Sequence, residues 1–215
     1  QIPFTAARAR NEGLARLLES MPSLEYVQFV DGDCEVREGW LNAALKFLEA
    51  NFSVAAVCGR RRERFPKTSV YNALCDLEWD TPVGQAKSCG GDVVMRASAI
   101  QAVGGYRSDL IAGEEPELCV RLRAAGWKVW RIDAEMTWHD AAIYRFAQWW
   151  NRNKRAGYAY AEGAYLHGGA PERHCVQNTA RALVWGALLP LLILVGTAWR
   201  TEMLFMAVLY PLQAL

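Results

Sequence analysis

Two aspartates that flank one glycine carry the clearest chemical signal in this sequence. Asp31 and Asp33 follow the apolar run YVQFV at 26–30, which is typical of a short buried strand. Paired carboxylates on a tight turn can bind a hard divalent cation, and Mg²⁺ or Mn²⁺ held there could bridge to a substrate diphosphate. Because such turns also occur for structural reasons alone, the motif by itself leaves a metal site and a plain turn both open.

More carboxylates crowd the start of a predicted helix at 113–127, where Glu114, Glu115 and Glu117 share one turn. Acidic residues there complement the helix dipole, which would explain them structurally. Their crowding would also raise their pKa values, and this suits a general base. His139 follows the next predicted strand and could add a neutral imidazole to a metal site, although a lone histidine is more often a hydrogen-bonded structural residue.

The elements around these residues alternate between strand and helix. This rhythm predicts an α/β domain with helices around a mixed, largely parallel sheet. Because ligands bind beyond the carboxyl ends of strands in such sheets, we expect Asp31, Asp33 and the region around His139 to meet at one rim. The predicted helices are 5–20, 38–50, 68–80 and 113–127, the predicted strands are 26–30, 54–62 and 128–133, and residues 89–106 supply a glycine turn, a short strand, a helix and another glycine turn.

The composition argues against some functions. The chain of 215 residues has 24 Lys and Arg against 23 Asp and Glu, and this balance argues against nucleic-acid binding through bulk charge. The basic run GRRRERF at 59–65 is interpreted instead as a solvated or lipid-facing loop, or one that meets acidic substrate groups. The six cysteines show no metal-binding spacing, so most are expected to be buried free thiols in a reducing compartment.

The last third of the sequence changes in character. Residues 144–176 combine tryptophans with arginine and lysine at helical spacing, which suits a helix at a membrane interface. Residues 182–199 carry no charge and a second apolar stretch follows at 203–215, so membrane-spanning segments are predicted within 177–215. Basic residues ahead of the first span predict that the globular domain, residues 1–143, lies on the cytoplasmic side.

The order of these features is more specific than any one of them. The series runs ARARNEGL at 7–14, DGD at 31–33, GGDVVMR at 90–96, GEEPELCVRLRAAGW at 113–127 and WHD at 138–140. Over roughly residues 6–140 it resembles the inverting family 2 glycosyltransferases of the GT-A fold, in their bacterial membrane-associated type. The resemblance implies transfer of a sugar from a nucleotide-diphosphate sugar to an acceptor hydroxyl with inversion. It further implies a place at the inner (cytoplasmic) membrane, in cell-envelope polysaccharide or glycolipid synthesis.

The resemblance also implies roles for individual residues. Glu115 would remove the proton of the acceptor hydroxyl with Glu114 in support, while Mn²⁺ or Mg²⁺ neutralises the diphosphate. The implied partners are a nucleotide-sugar donor, membrane lipids and a glycan, lipid or small-molecule acceptor, with no nucleic acid. The implied metal ligands are Asp31, Asp33 and His139, the implied donor-binding residues are Arg10, Asn11 and Asp31, and the implied acceptor-binding residues are Gly90, Gly91 and Asp92.

The chain departs from the family pattern in two places. The family usually has an aspartate where this chain has Glu115, whose extra methylene moves the carboxylate outward. The family's opening strand with its IPAYNE-like segment does not precede the first motif, so the chain is expected to be an N-terminally truncated fragment lacking its first strands. Two other interpretations stay open: a metal-dependent nucleotidyltransferase or phosphohydrolase, against which the missing P-loop counts, and a non-catalytic membrane scaffold.

Overall fold

The computed structural model of the chain describes residues 5–212 and divides into two compact units, one ending at Ala159 and one beginning at Tyr160. The first unit contains all the candidate site residues. Its elements are α1 (Ala6–Ser20), β1 (Tyr26–Phe29), β2 (Cys34–Val36), α2 (Trp40–Ala50), β3 (Val54–Glu63), α3 (Val70–Glu78), β4 (Gly84–Gln85), β5 (Val93–Arg96), α4 (Ala97–Ala102), α5 (Glu114–Ala124) and β6 (Lys128–His139), and α6 (Phe146–His167) begins there.

Local sequence signals explain where the helices start. The Thr5 hydroxyl accepts a hydrogen bond from the Arg8 amide at 3.2 Å and so caps α1, as the sequence predicted. Ser69 caps α3 in the same way, through the Asn72 amide at 3.0 Å. In contrast, α5 starts directly after Gly113, whose φ of +81° is in the left-handed region that favours glycine.

The sheet is mixed, as predicted, but it is not largely parallel. Its strand order is β1-β5-β3-β6-β2, with β4 also paired to β6, and only the β3–β6 pairing is parallel among the described strands. β5 lies between β1 and β3 and runs antiparallel to both. The sequence therefore predicted β1, β3 and β6, which share one direction, and a short strand within 89–106, but it could not reveal that this strand, β5, runs in the opposite direction.

Two apolar cores flank the sheet. Val93 and Met95 of β5 pack into one core, while Val94 between them packs into the other, as the alternation of a strand requires. The first core also takes residues of α1, α4 and α5, and Trp40 and Leu48 of α2 fill the second. These side chains are almost fully buried, so both cores hold the sheet rigidly beneath the site.

β6 continues beyond a bulge and is therefore longer than the strand predicted at 128–133. From the paired positions Cys58 and Arg131 to Arg60 and Glu135, β3 advances two residues while β6 advances four. The extra residues break the alternating pattern, so the sequence did not reveal the continuation of the strand. After the bulge β6 runs on to His139, which pairs with Cys34 of β2.

The second unit is helical. α7 (Val176–Leu183), a π-helical segment (Val184–Leu188) and α8 (Leu189–Trp199) follow one another without a break. Together Val176–Trp199 form a run of 24 residues that is long and apolar enough to cross a membrane, by length and composition alone, with a mean hydropathy of 2.0 over an 18-residue stretch. The second predicted apolar stretch forms a 3₁₀ helix (Thr201–Val208) and α9 (Leu209–Leu212), and its residues 213–215 lie outside the described residues.

Candidate functional site

The DGD turn and the end of β6 lie together at one rim, as predicted. Asp31 follows β1 and Asp33 precedes β2, and the pairing of β2 with β6 brings His139 alongside. The Nε2 atom of His139 lies 3.4 Å from Oδ2 of Asp33, and the amide of Asp140 donates to the Asp33 carbonyl at 3.2 Å. The antiparallel pairing of β2 with β6 thus brings together two residues that are more than one hundred positions apart in the sequence.

A third carboxylate, Asp92, lies directly beneath Asp31. It has no exposed surface, and its oxygens accept the Asp31 amide at 2.9 Å and the Thr137 hydroxyl at 2.7 Å. An ideal Cβ at Gly91 would lie 2.0 Å from Oδ2 of Asp31, so only glycine allows this approach. Asp92 and Gly91 were expected on the acceptor side, and in the structure both contact Asp31.

Burial keeps His139 in the form that can bind a metal. Its pKa is lowered, mainly by burial, which outweighs the opposing attraction of Asp33, so the imidazole is neutral near pH 7. The ring packs edge-on against Trp79, with centroids 4.6 Å apart. The Nδ1 atom is buried without a hydrogen-bond partner among the described residues and faces Glu63 Oε2 at 3.9 Å. Nε2 is therefore the nitrogen that faces Asp33.

Cys34 lies between the aspartates and His139, although the sequence analysis predicted only a free thiol there. Its sulfur belongs to two sets of ligand atoms that each lie within 4.8 Å of one another, with Asp33 and His139 in one and Asp31 and Asp92 in the other. Burial and the neighbouring Asp92 raise the pKa of the thiol, so it stays protonated and adds no charge.

We call Asp31, Asp33, Asp92 and His139 the carboxylate rim. Its ligand atoms lie in two sets that share the Cys34 thiol, Asp33 with His139 and Asp31 with Asp92, and carboxylate oxygens with a neutral imidazole suit Mn²⁺ or Mg²⁺. Asp33 is the most exposed of the three carboxylates, with 58% of its side chain accessible, against 31% for Asp31 and none for Asp92. The rim therefore fits an ion that is held mainly by Asp33 and His139, with Asp31 adjoining.

Two arginines neutralise the inner side of the rim. Arg10 of α1 donates to Asp31 Oδ1 at 2.5 Å and to Glu114 Oε1 at 2.6 Å, so it bridges the DGD turn to the start of α5. Arg61 of β3 places Nη2 3.0 Å from Asp92 Oδ2 and 3.7 Å from Asp31 Oδ2. The basic run at 59–65 is thus largely part of β3, in line with the strand predicted at 54–62, and its Arg61 faces the carboxylates of the site instead of solvent or lipid.

Glu115 is buried against the glycine loop. Only 2% of the residue is exposed, and its two oxygens accept the amides of Cys89 at 2.7 Å and Gly90 at 2.9 Å. The Cys119 thiol donates to it as well, at 3.0 Å. Its pKa is raised because burial outweighs these hydrogen bonds, so burial, and not the mutual repulsion inferred from the sequence, is the main cause.

The other residues of these motifs hold the site in place. Asn11 donates to the Tyr106 carbonyl at 2.7 Å and accepts its amide at 2.8 Å, which fixes the glycine turn after α4. Glu117 is buried and binds Arg121, whose guanidinium also caps two carbonyls of that turn. The sequence did not indicate the contact between Asn11 and Tyr106, because these residues are distant along the chain.

Two cavities adjoin the rim and share a wall. One, of about 200 Å³, is lined by residues that include Ser88, Cys89 and Gly90 of the loop that Glu115 holds. The other, of about 380 Å³, is lined in part by His139. Arg61 and Trp79 line both cavities, with the guanidinium carbon 5.6 Å from the centre of the indole ring. This pair separates the loop side of the site from the histidine side.

Known glycosyltransferases are similar to this chain in sequence and in structure. No protein-family model matches the chain. It is 32% identical over 145 residues to the pre-mycofactocin glycosyltransferases of Mycobacterium tuberculosis strains CDC 1551 and H37Rv, a match that covers 62% of this chain and 30% of theirs. The chain therefore spans less than a third of the length of these curated relatives.

A solved structure shares the fold. The mannosyltransferase PcManGT from Pyrobaculum calidifontis, in complex with GDP-Man and Mn²⁺, superposes with a TM-score of 0.56 at 21% identity. The match covers 95% of this chain and 64% of that one. This likeness confirms the predicted α/β glycosyltransferase fold, while the expected loss of the first strands stays a prediction.

Proposed function

We propose that this chain carries the catalytic region of a glycosyltransferase that moves a sugar from a nucleoside-diphosphate donor to an acceptor hydroxyl with inversion. The observation that carries the proposal is the carboxylate rim, which lies beside a buried glutamate on a fold shared with a glycosyltransferase. Sugar transfer from such a donor needs a Lewis acid at the leaving diphosphate and a base at the acceptor; the rim offers ligands for a metal ion, and Glu115 is a candidate base.

The rim is proposed to receive the diphosphate. A bound Mn²⁺ or Mg²⁺ would supply positive charge that stabilises the leaving group. Asp33 and His139 would hold the ion with Asp31, while Asp92 keeps the Asp31 main chain in place. Arg10, tied to Asp31 and Glu114, supplies a fixed positive charge at the same end of the sheet.

Glu115 is proposed to take the proton of the acceptor. It holds the amides of Cys89 and Gly90, and both residues line the cavity of about 200 Å³ in which an acceptor hydroxyl could lie. The raised pKa strengthens it as a base at neutral pH. Glu114 has the supporting role of orienting Arg10.

The proposed setting is the cytoplasmic face of the inner membrane, in synthesis of envelope polysaccharide or glycolipid. The apolar helix at Val176–Trp199 supports an anchor. Phe146 and Trp150 near the start of α6 are 59% and 55% exposed, which is compatible with contact to lipid headgroups. A glycan, a lipid or a small molecule could serve as the acceptor.

Calorimetry of nucleoside diphosphates tests the proposal. We expect the full chain in detergent to bind GDP, UDP or another member of a diphosphate panel in the presence of Mn²⁺, and at least tenfold more weakly after Asp33→Ala or without metal. Asp109→Ala is the matched control, since this exposed aspartate pairs with Arg107 away from the rim. Failure of every diphosphate to bind would refute the proposal. Binding of triphosphates with release of pyrophosphate would favour a nucleotidyltransferase instead.

A further inference from the structure

Arg61 holds an unusual position among the charged groups of the site. Its side chain is only 14% exposed, and its nearest charged neighbours are Asp92 and Asp31 of the carboxylate rim. The Nη2 atom is buried, and although it lies 3.0 Å from Asp92 Oδ2 it makes no hydrogen bond within residues 5–212. Ion pairs without aligned hydrogen bonds, together with stacking over Trp79, therefore hold this guanidinium over the rim.

Arg10, the other arginine of the site, is held by hydrogen bonds to carboxylates. It makes two short hydrogen bonds, at 2.5 and 2.6 Å, to carboxylates on two different segments. Charge-assisted hydrogen bonds of this kind are about twice as strong as neutral ones and resist displacement. Arg61 lacks them, so it is the more easily displaced of the two cations.

The surroundings of Arg61 leave it an alternative place. It stacks over Trp79, and this pair forms the wall between the two cavities next to the rim. An ideal Cβ at Gly90 would lie 3.6 Å from Nη2, an ordinary van der Waals contact, so the space open to the guanidinium is that of the two cavities. A small rotation could therefore carry the charge from the carboxylates into either cavity.

We propose that Arg61 is a diphosphate-binding residue that neutralises the carboxylate rim until metal and donor arrive. A divalent cation held by Asp33 and His139 beside Asp31 would repel the guanidinium at short range. The unpartnered N–H groups of Arg61 then find acceptors on the phosphate oxygens, which match the fork of an arginine. This inference rests on the proposed function and adds an exchange of cations at the rim.

The exchange predicts opposite effects on two ligands. Without diphosphate, Arg61 competes with the metal, so its removal should tighten metal binding. When diphosphate is present, Arg61 binds its oxygens, so removal of the Arg61 side chain should weaken diphosphate binding. Removal of a purely structural residue would not tighten the binding of one ligand while weakening the binding of the other.

Electron paramagnetic resonance of free Mn²⁺ measures the first effect. We expect the full chain carrying Arg61→Gln to bind Mn²⁺ alone about tenfold more tightly than wild type, since a repelling charge has been removed. Arg61→Lys keeps the charge and should bind Mn²⁺ as wild type does. Arg62→Gln is the matched control, because the neighbouring Arg62 is 40% exposed and pairs with Glu135 outside the rim.

Titration of inorganic pyrophosphate and GDP at saturating Mn²⁺ measures the second effect. Arg61→Gln should weaken the binding of both ligands about tenfold or more. Arg61→Lys should weaken their binding to a smaller degree, because a lysine cannot bind a phosphate group bidentately. If Arg61→Gln does not fold, unchanged diphosphate binding by folded Arg61→Lys overturns the inference, and weakened binding supports it.

The outcomes separate this inference from the proposed function. If wild type binds Mn²⁺ with diphosphate and Arg61→Gln binds Mn²⁺ no more tightly, or diphosphate no more weakly, the exchange is wrong and the proposed function stands. If neither protein binds Mn²⁺ or any diphosphate, the proposed function itself is refuted, and the inference fails with it.

Discussion

Individual side chains show how the site balances charge. Asp92 is fully buried, yet its carboxylate meets an amide, a hydroxyl and a guanidinium, so no lone charge is left in the interior. Glu115 is equally hidden, and its hydrogen bonds come from amides and a thiol. Burial without a cationic partner raises its pKa, and this is the condition expected of a base.

Replacement of Glu115 by glutamine tests that condition. The native state binds the Glu115 proton more tightly than the unfolded chain does, so the wild-type free energy of unfolding falls as pH rises from the ordinary value of 4.5 through the raised pKa. Glu115→Gln mimics the protonated acid and removes this loss. We therefore expect urea unfolding to show the variant gaining stability relative to wild type as pH rises above about 4.5.

The same substitution should abolish most catalysis. Loss of a general base lowers kcat by about 10²–10⁴-fold. Glu117→Gln is the matched control, since this buried glutamate binds Arg121 and should affect stability more than turnover. A Glu115→Gln enzyme with wild-type kcat would show that Glu115 only holds the loop.

Sequence spacing predicted part of this chemistry. Asp31, Asp33 and His139 stand at the ends of predicted strands, and the structure brings them together. The contacts of Arg61 and Asp92 were missed, because they depend on which strand lies beside which. A local pattern does not contain that information.

Among the elements, β6 does most to shape the site. Its bulge is accommodated by Gly59 of β3, where an ideal Cβ would lie 2.4 Å from the carbonyl oxygen of Ala134 and 2.7 Å from the Trp40 ring. The strand then continues in register with Cys34 and delivers His139 to the rim. A glycine that looks ordinary in the sequence therefore supports the metal side of the site.

Substitution of this glycine tests the role of the bulge. Gly59→Ala should lower the free energy of unfolding by about 1–3 kcal/mol, because the added methyl overlaps a backbone oxygen and a packed indole. Gly13→Ala is the control, since nothing lies within 4 Å of its ideal Cβ in α1, and alanine there should stabilise slightly. Equal urea midpoints for wild type and Gly59→Ala would contradict the packing described.

At the scale of the whole molecule, the chain joins a rigid α/β unit to an apolar helical unit. Leu191 and Leu194 of α8 are 56% and 70% exposed, which suits lipid contact. The sequence predicted this apolar character directly, because membrane spans are recognised by composition and length. No pattern in the sequence indicated that β5 of the first unit runs antiparallel to its neighbours β1 and β3.

Charges placed in α8 test the proposed anchor. Leu191→Arg with Leu194→Arg should move the chain out of the carbonate-washed membrane fraction, because each arginine costs about 2.5–3.5 kcal/mol at the centre of a span. Phe52→Arg is the control, since this exposed phenylalanine lies outside the apolar unit. Retention of the double variant in membranes would count against the anchor.

The most direct test of sugar transfer is the release of nucleoside diphosphate from a panel of nucleotide sugars, measured on the full-length protein in membranes. Wild type is predicted to turn over at least one donor in the presence of Mn²⁺ or Mg²⁺. Asp33→Ala should reduce this rate about 100-fold or more, while Asp109→Ala leaves it unchanged. Absence of turnover for every donor, or an Asp33→Ala protein as active as wild type, would contradict the account.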